Sequence, residues 1–418
     1  MQPFIPPHFQ PFAQQVARLV LPFRLRYQDK VTRIEIDEES RARLRALDGQ
    51  RAMLCPNHSY QADAVVLYQL SLLLRQPWYY LSALENFLAP VQGWLLRNVG
   101  VYSVVRGTMD RPSFRCTRQL LAKGDHPVVI FPEGEIVGQN DIINVFQPGV
   151  AQFAFWALED LLAANPQSAL PPIYAAPITI KYLLPGDVRP ILAQRMALME
   201  RKLNLTNPRT DLYDRLAKIG EAVLTIAERE YGLTPAAGSL FNDRVQAAKA
   251  AILARVAREV NVTFHAGQTQ VDQVRLLFNA IDVITRATPA KATYARKLQR
   301  EHQRRVSALY VDLWRVLRFA ATFDGYTPAR MTQERLMELT NRLEWEVLGS
   351  LRWAGPMIAV VHVDEPMNLT DYFAAYQRDK RGTVAAVTDR LAGAVREKLT
   401  ELNARMTLLD RLEQTVQI

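Results

Sequence analysis

Three short, almost uninterrupted apolar runs constrain this chain more than any other feature: Pro127-Val128-Val129-Ile130-Phe131, Ile173 to Ile180 with Pro177 inside it, and Pro356 to Val363. A strand buried on both faces shows no alternation of polar and apolar residues, and such strands belong to parallel sheets covered by helices. Weaker strand patterns occupy Val31–Ile36, Ala52–Cys55, Tyr79–Ala83 and Val101–Val105. Helical periodicity fills the gaps, over Glu38–Leu47, Asp63–Leu74, Phe87–Asn98, Ser113–Leu121 and Gly149–Ala163, with Gly49, Gly100 and Gly124 as stop signals. Strands and helices alternating at this spacing predict an α/β fold, a mostly parallel sheet flanked by helices.

The texture changes near Asp187. Long helical patterns run through Ile191–Leu203, Asp211–Tyr231, Leu240–Val262, Val271–Arg286, Tyr294–Phe323 and Gln333–Leu348, with no strand of comparable quality between them and no fixed repeat period. Strand texture then returns at Pro356–Val363, followed by a turn at Asp364-Glu365-Pro366-Met367-Asn368-Leu369 and a final helix over Thr383–Gln414. The simplest arrangement is an α/β core over residues 31–186 and 351–418, interrupted by a large all-helical insertion over 187–350, with the last strand rejoining the sheet. Residues 1–30 form a separate amphipathic segment, in which Phe12, Val16, Leu19, Val20 and Phe23 recur at helical spacing ahead of Arg24, Arg26 and Lys30. That pattern fits either a helix lying on a membrane or a helix packed on the core.

Two cysteines, Cys55 and Cys116, offer neither a disulfide framework nor a metal-binding spacing, which fits a reducing compartment. No Lys or Arg precedes Arg18 and no long apolar run follows, unlike a secretory signal. No stretch of about eighteen apolar residues suggests a spanning helix. The net charge of +9 points to an anionic partner: nucleic acid, an acidic membrane face or a phosphate-bearing substrate.

The run Ala52–Cys55 ends in Pro56-Asn57-His58-Ser59-Tyr60-Gln61-Ala62-Asp63, and a helix begins at once. Of the six histidines, His58 alone has an aspartate five positions on. Imidazole suits proton transfer near neutrality, and a neighbouring carboxylate fixes its tautomer. Alone the spacing is weak. It gains weight because Arg106 ends another strand and Glu133-Gly134 a third, and parallel sheets bind ligands at the carboxyl ends of their strands.

Taken together these blocks resemble the glycerolipid acyltransferases, the group that includes glycerol-3-phosphate and 1-acylglycerol-3-phosphate acyltransferases. Asn57 to Asp63 is similar to the family's N-H-x4-D box, and Gly100 to Arg106 to its arginine-ending block. Phe131-Pro132-Glu133-Gly134 resembles the start of its F-P-E-G-T-R block, and Ala176-Pro177-Ile178-Thr179-Ile180 its proline-bearing strand. Val363 to Leu369 resembles its G-E-P-I-D-L turn. The resemblance covers about residues 31–186 and 352–412. Two positions depart from it: Tyr60 stands where serine is frequent, and Glu135-Ile136 replaces Thr-Arg.

The resemblance implies transfer of a fatty acyl group from an acyl thioester, acyl-CoA or acyl carrier protein as co-substrate, to a hydroxyl of glycerol 3-phosphate or 1-acylglycerol 3-phosphate. His58 would be the general base and Asp63 its orienting partner. Asn57, Arg106, Glu133 and Gly134 would serve substrate binding, with Lys181 a further cation for an acceptor phosphate, and backbone N–H groups near Glu133-Gly134 or at the helix start would hold the oxyanion. No metal and no cofactor is expected. Glu135 favours a second acceptor class, a lysophospholipid or an aminolipid. The protein is expected in the cytoplasm, peripheral at the inner face of an anionic membrane, with no nucleic-acid partner. A non-catalytic lipid- or nucleic-acid-binding protein is the rival of another class, prompted by nine Lys or Arg against two acidic residues between Arg286 and Arg318. There Lys297, Arg300, Arg304 and Arg305 share a face beside an apolar stripe of Val306, Leu309, Tyr310, Leu313, Trp314 and Leu317. That face would dock on lipid headgroups, receive an acidic acyl carrier protein, or simply be solvated.

Overall fold

The computed structural model describes residues 4–105, 110–136, 138–206, 211–285, 293–320, 331–349 and 356–406. The chain forms two compact units, one holding the sheet and the other helical from Val188 onward.

The sheet unit is α/β, as the apolar runs require. Its strands are β1 (Val31–Ile36), β2 (Ala52–Pro56), β3 (Tyr79–Ala83), β4 (Val101–Val104), β5 (Val128–Val129), β6 (Tyr174–Leu183), β7 (Met357–Val363) and β8 (Met367–Asn368). Their order is β1-β7-β6-β2-β5-β3-β4, with β8 also on β6. From β6 to β4 every pairing is parallel, whereas β7 runs antiparallel to β6 and carries β1 alongside it in parallel. The last long strand therefore rejoins the sheet in its interior, between β1 and β6, rather than at an edge.

Side chains alternate across the sheet. Met53 and Cys55 of β2 face the helices α6 (Gly149–Ala164), α13 (Phe373–Arg378) and α14 (Lys380–Asn403), in a core with Phe155, Tyr376 and Leu391. Ile178, Ile180 and Tyr182 of β6 point to the opposite face, where Tyr182 meets Asp63 at the start of α3 (Asp63–Leu74). α3 begins one short loop after β2, so its amino terminus lies at the carboxyl end of the sheet.

Four local expectations differ from what is observed. The run Pro127–Phe131 makes a ladder only over Val128–Val129, although Ile130 N–H still donates to Leu54 carbonyl at 3.0 Å, before Pro132 turns the chain away. The helix expected over Phe87–Asn98 is a 3₁₀ turn, Leu84–Phe87, and then α4 (Pro90–Arg97). Pro90 has no N–H to continue the first turn and opens a new helix instead. The two pieces meet closely: a Cβ on Gly93 would lie 2.2 Å from the Phe87 carbonyl oxygen. The turn expected at Asp364–Leu369 contains β8, paired with Tyr174 and Ala175. The final helix begins at Lys380 rather than Thr383, because Asp379 caps it through Gly382 N–H at 2.9 Å, and it ends at Asn403; the short α13 precedes it, and residues 407–418 lie outside the described chain.

The N-terminal segment belongs to the sheet unit. Residues 5–10 run antiparallel to 98–103, through Gln10 N–H to Asn98 O, Gly100 N–H to His8 O and Ser103 N–H to Ile5 O, so they cover the free edge of β4. Helix α1 (Pro11–Phe23) follows and, after Pro22, widens into a π turn over Arg24–Gln28. Ala13, Ala17, Leu21 and Leu25 are its buried face, repeating every four residues. Phe12, Leu19, Val20, Phe23 and Tyr27 remain outside, from 49% to 70% exposed. The segment is thus both packed and apolar outward.

In the helical unit, α7 (Arg189–Lys202), α8 (Leu212–Glu230), α9 (Phe241–Glu259), α10 (Gln270–Thr285) and α11 (Thr293–Ala320) pack in that order, each on the next, α11 also packs on α9, and α12 (Gln333–Leu348) packs on α7 and α8. Val306, Leu309 and Leu313 of α11 are buried against α9 and α10, so most of the apolar stripe is core. Trp314 stays 44% exposed. On the basic face Arg305 reaches Glu259 at 3.5 Å, while Lys297, Arg300 and Arg304 are exposed. No described helix is long and apolar enough to cross a membrane.

Candidate active site

β2 ends at Pro56, but its neighbour β6 continues to Leu183. Two asparagines extend the ladder over that overhang. Asn57 N–H donates to Ile178 O at 3.2 Å; then its side chain takes over, Nδ2 donating to Ile180 O at 3.0 Å and Oδ1 accepting from Ile180 N–H at 2.7 Å. Two residues on, Asn140 does the same for Tyr182, with Nδ2 donating to the carbonyl at 2.6 Å and Oδ1 accepting the N–H at 2.7 Å. Both loops that leave the sheet here are thereby tied to one strand. The Asn57 amide, also bonded to Ser59 Oγ at 3.0 Å, is buried and engaged in this bracing.

The tie delivers His58. Its Nδ1 lies 2.9 Å from Asp63 Oδ2, the same oxygen that accepts Tyr60 N–H at 2.9 Å. Asp63 Oδ1 accepts the Tyr182 hydroxyl at 2.7 Å. Asp63 is fully buried, so three donors stand in for the water it has lost, each charge-assisted bond contributing about 1.5–3 kcal/mol. The five-residue spacing has a local cause: Asp63 is the first residue of α3, and Asp63 N–H closes a turn onto Tyr60 O at 3.2 Å, folding its carboxylate back under the loop. Phe131 stacks on the imidazole, 4.1 Å between centroids. Among the described residues Nε2 of His58 makes no hydrogen bond, and the side chain is 16% exposed.

Glu133 is 1% exposed. Its Oε1 accepts His58 N–H at 2.7 Å and its Oε2 accepts Asn144 N–H at 2.7 Å. Burial pushes its carboxyl up to about 7, against those two bonds and with a smaller upward push from Asp63. Glu133 thus clamps the histidine loop to the 138–147 loop. Gly134 takes φ +75°, a left-handed conformation that glycine adopts without strain, and its N–H donates to Phe131 O at 3.1 Å. That N–H is spent within the turn.

Arg106 lies outside the described residues. Lys181 alternates to the far face of β6, where Nζ donates to Asn140 O at 2.8 Å and Asn403 Oδ1 at 2.6 Å; it is not placed to meet a ligand beside His58. Cys55 is fully buried on that same far face, and burial pushes its thiol up. Tyr182 and Asn140 escaped the sequence reading. The strand reading stopped at Ile180, and Asn140 belongs to no motif; alternation along a longer β6 would have put Tyr182 on the face of Ile178 and Ile180.

Residues 31–181, which include the histidine loop, the Phe131–Gly134 turn and most of β6, match the family model described as Acyltransferase. None of the curated proteins matches the chain.

Proposed function

From the premise that this chain belongs to the acyltransferase family through residues 31–181 and is an O-acyltransferase, we propose that it moves a fatty acyl group from acyl-CoA or acyl carrier protein to a hydroxyl of glycerol 3-phosphate or 1-acylglycerol 3-phosphate. One observation carries the reading: Asp63 engages Nδ1 of His58, and Nε2 makes no hydrogen bond among the described residues. Nε2 takes the hydroxyl proton as the oxygen attacks the thioester carbonyl. The tetrahedral oxyanion is held by N–H groups at the start of α3, a helix of 12 residues whose amino terminus favours negative charge. The C–S bond then breaks, the thiolate receives the proton from His58, and ester and thiol leave. Transfer is direct, since the buried Cys55 thiol does not serve as a nucleophile.

Mass spectrometry tests this. Acyl-CoA and acyl carrier protein thioesters are offered with glycerol 3-phosphate, 1-acylglycerol 3-phosphate and phosphate-free alcohols, with wild type and His58→Ala side by side. Acylated glycerol phosphate from the wild type alone is expected; equal product from both proteins rejects the reading.

A second acceptor class is favoured by Glu135-Ile136, which places a carboxylate where the family carries Thr-Arg, and by Lys181 lying across the sheet. On this reading a lysophospholipid or aminolipid product dominates the same panel.

A lipid acceptor also suits the outer face of α1. Phe12, Leu19 and Phe23 of α1 and Tyr27 of the π turn are exposed, Phe12 meets the exposed Trp94 of α4 at 6.3 Å, Val91 of α4 is 81% exposed, and Arg18, Arg26 and Arg97 are exposed on the same segments. This is the composition of a peripheral contact with an anionic membrane. Flotation with phosphatidylglycerol vesicles, lost in Phe12→Ser/Phe23→Ser, is the expected result.

A further inference from the structure

We propose that Tyr182 is a positioning residue of the acyl transfer: from β6 it holds the Asp63 carboxylate, and through it the His58 imidazole, in the orientation that leaves Nε2 facing the substrate hydroxyl. The proposal rests on His58 being the general base.

The two oxygens of Asp63 have separate duties. Oδ2 serves the loop, meeting His58 Nδ1 and Tyr60 N–H, both at 2.9 Å. Oδ1 meets Tyr182 Oη at 2.7 Å, a contact spanning 119 positions in sequence. A carboxylate bonded through Oδ2 alone can swing about its Cβ–Cγ bond; a donor on the second oxygen fixes its plane and hence the direction of the Nδ1–H bond. In such a pair the carboxylate stabilises the imidazolium and selects the tautomer rather than taking the proton itself.

Tyr182 is itself firmly placed. Asn140 binds its backbone on one edge, β7 pairs with it through Ala359 on the other, and its ring meets Tyr60 edge-on at 4.9 Å. It is 1% exposed. The titratable groups facing this pair are His58, Tyr60, Glu133 and the buried Asp29. Burial first, and then Asp63, hold the Tyr182 phenol far above its usual range. It therefore keeps its proton wherever the enzyme works and always donates. A phenylalanine would fill the same space, so packing alone does not call for the hydroxyl.

The test compares wild type, Tyr182→Phe, Asp63→Asn and the double variant, using the thioester and acceptor that the wild type turns over fastest in the mass-spectrometric panel. In Tyr182→Phe, kcat falls about tenfold with KM within about twofold. The acid limb of its kcat–pH profile moves to higher pH, because a carboxylate with one donor fewer holds the imidazolium proton more tightly. In the Asp63→Asn background the same substitution costs nothing further, the mark of action through Asp63. A reading free of turnover comes from proton NMR: the downfield Nδ1–H resonance, assigned by its loss in His58→Gln, shifts in Tyr182→Phe. An unchanged resonance with an unchanged pH profile overturns the proposal. So does a loss of kcat that adds fully to Asp63→Asn, which marks a packing role. Should His58→Gln keep full activity, the general-base reading fails instead, and that outcome is seen separately.

Discussion

Asn57 and Ile180 pair as two strands pair, yet one partner is a side chain: Nδ2 and Oδ1 of Asn57 take the carbonyl and the N–H of Ile180 at 3.0 and 2.7 Å. The consequence is a loop that inherits the rigidity of the sheet one residue past its end, and the next residue in that loop is His58.

Asn57→Ala leaves a buried N–H and a buried carbonyl on β6 without partners, at about 1–3 kcal/mol each. A thermal midpoint lower by roughly 5–15 °C is expected, since about 2–4 °C accompanies each kcal/mol in domains of this size. Asn140→Ala, which strips Tyr182 in the same way, should behave alike. A midpoint unmoved in both variants contradicts the ladder role.

His58→Ala should remove the general base and with it about 10²–10⁴-fold of the rate, while the far-ultraviolet circular dichroism stays that of the wild type. Asp63→Asn should lose activity too, since a carboxamide presents an N–H where Nδ1–H, Tyr60 N–H or the Tyr182 hydroxyl needs an acceptor. Steady-state thiol release by the three proteins decides the matter.

Glu133 makes stability depend on pH. Its folded carboxyl titrates near 7, above the ordinary 4.5, so the neutral form is the one that folding favours. The contribution is complete below about pH 4.5, is lost as pH rises through about 7, and amounts to about 3 kcal/mol. Glu133→Gln cannot ionise. Between pH 5 and 8 the wild type should lose more of its urea resistance than this variant does; parallel curves count against the assignment. The variant should also be slow, because one amide cannot accept from both His58 and Asn144 N–H groups.

His362 has the opposite chemistry and the same sign. On β7 its Nε2 lies 3.5 Å from Asp364 and its Nδ1 3.1 Å from Asp37, and these carboxylates, Asp364 foremost, raise the imidazole above 6.5. The protonated ring ties the cap of α2 (Glu38–Ala46) to β7. That tie is fully present below about pH 6.5 and fades as pH climbs through the raised value. Chemical denaturation from pH 6 to 9 should show a shallower decline in His362→Gln than in the wild type.

The sheet was legible in the sequence because burial on both faces leaves an unmistakable apolar run, and β7 was seen to rejoin it for that reason. Its insertion between β1 and β6 was not, since strand order is written in tertiary contacts that no local pattern records. The ends of elements slipped where one residue overrides periodicity, as Pro90 and Asp379 do. In the candidate site, the spacing of His58 and Asp63 was weak alone and gained weight from Glu133 at the end of a neighbouring strand. Tyr182 and Asn140 gave no such signal, because a tyrosine in an apolar strand and an asparagine in a loop look ordinary until the partner 119 or 42 positions away is known. The roles of Asn57 and Glu133 shifted for a related reason: a polar residue in a motif can as well hold the backbone as hold a ligand.

The interior position of β7 has a consequence for synthesis. Until Met357–Val363 has left the ribosome, β6 has one edge unpaired over Ile178–Leu183, and β1 lacks the strand with which it pairs. Nascent chains halted just before Met357 would carry the whole histidine loop and the Glu133 clamp, yet present an open, apolar strand to any neighbour that can pair with it. The helices of residues 188–349 are made during that interval, so their rate of emergence sets how long the unfinished sheet must wait, and how much it needs a chaperone.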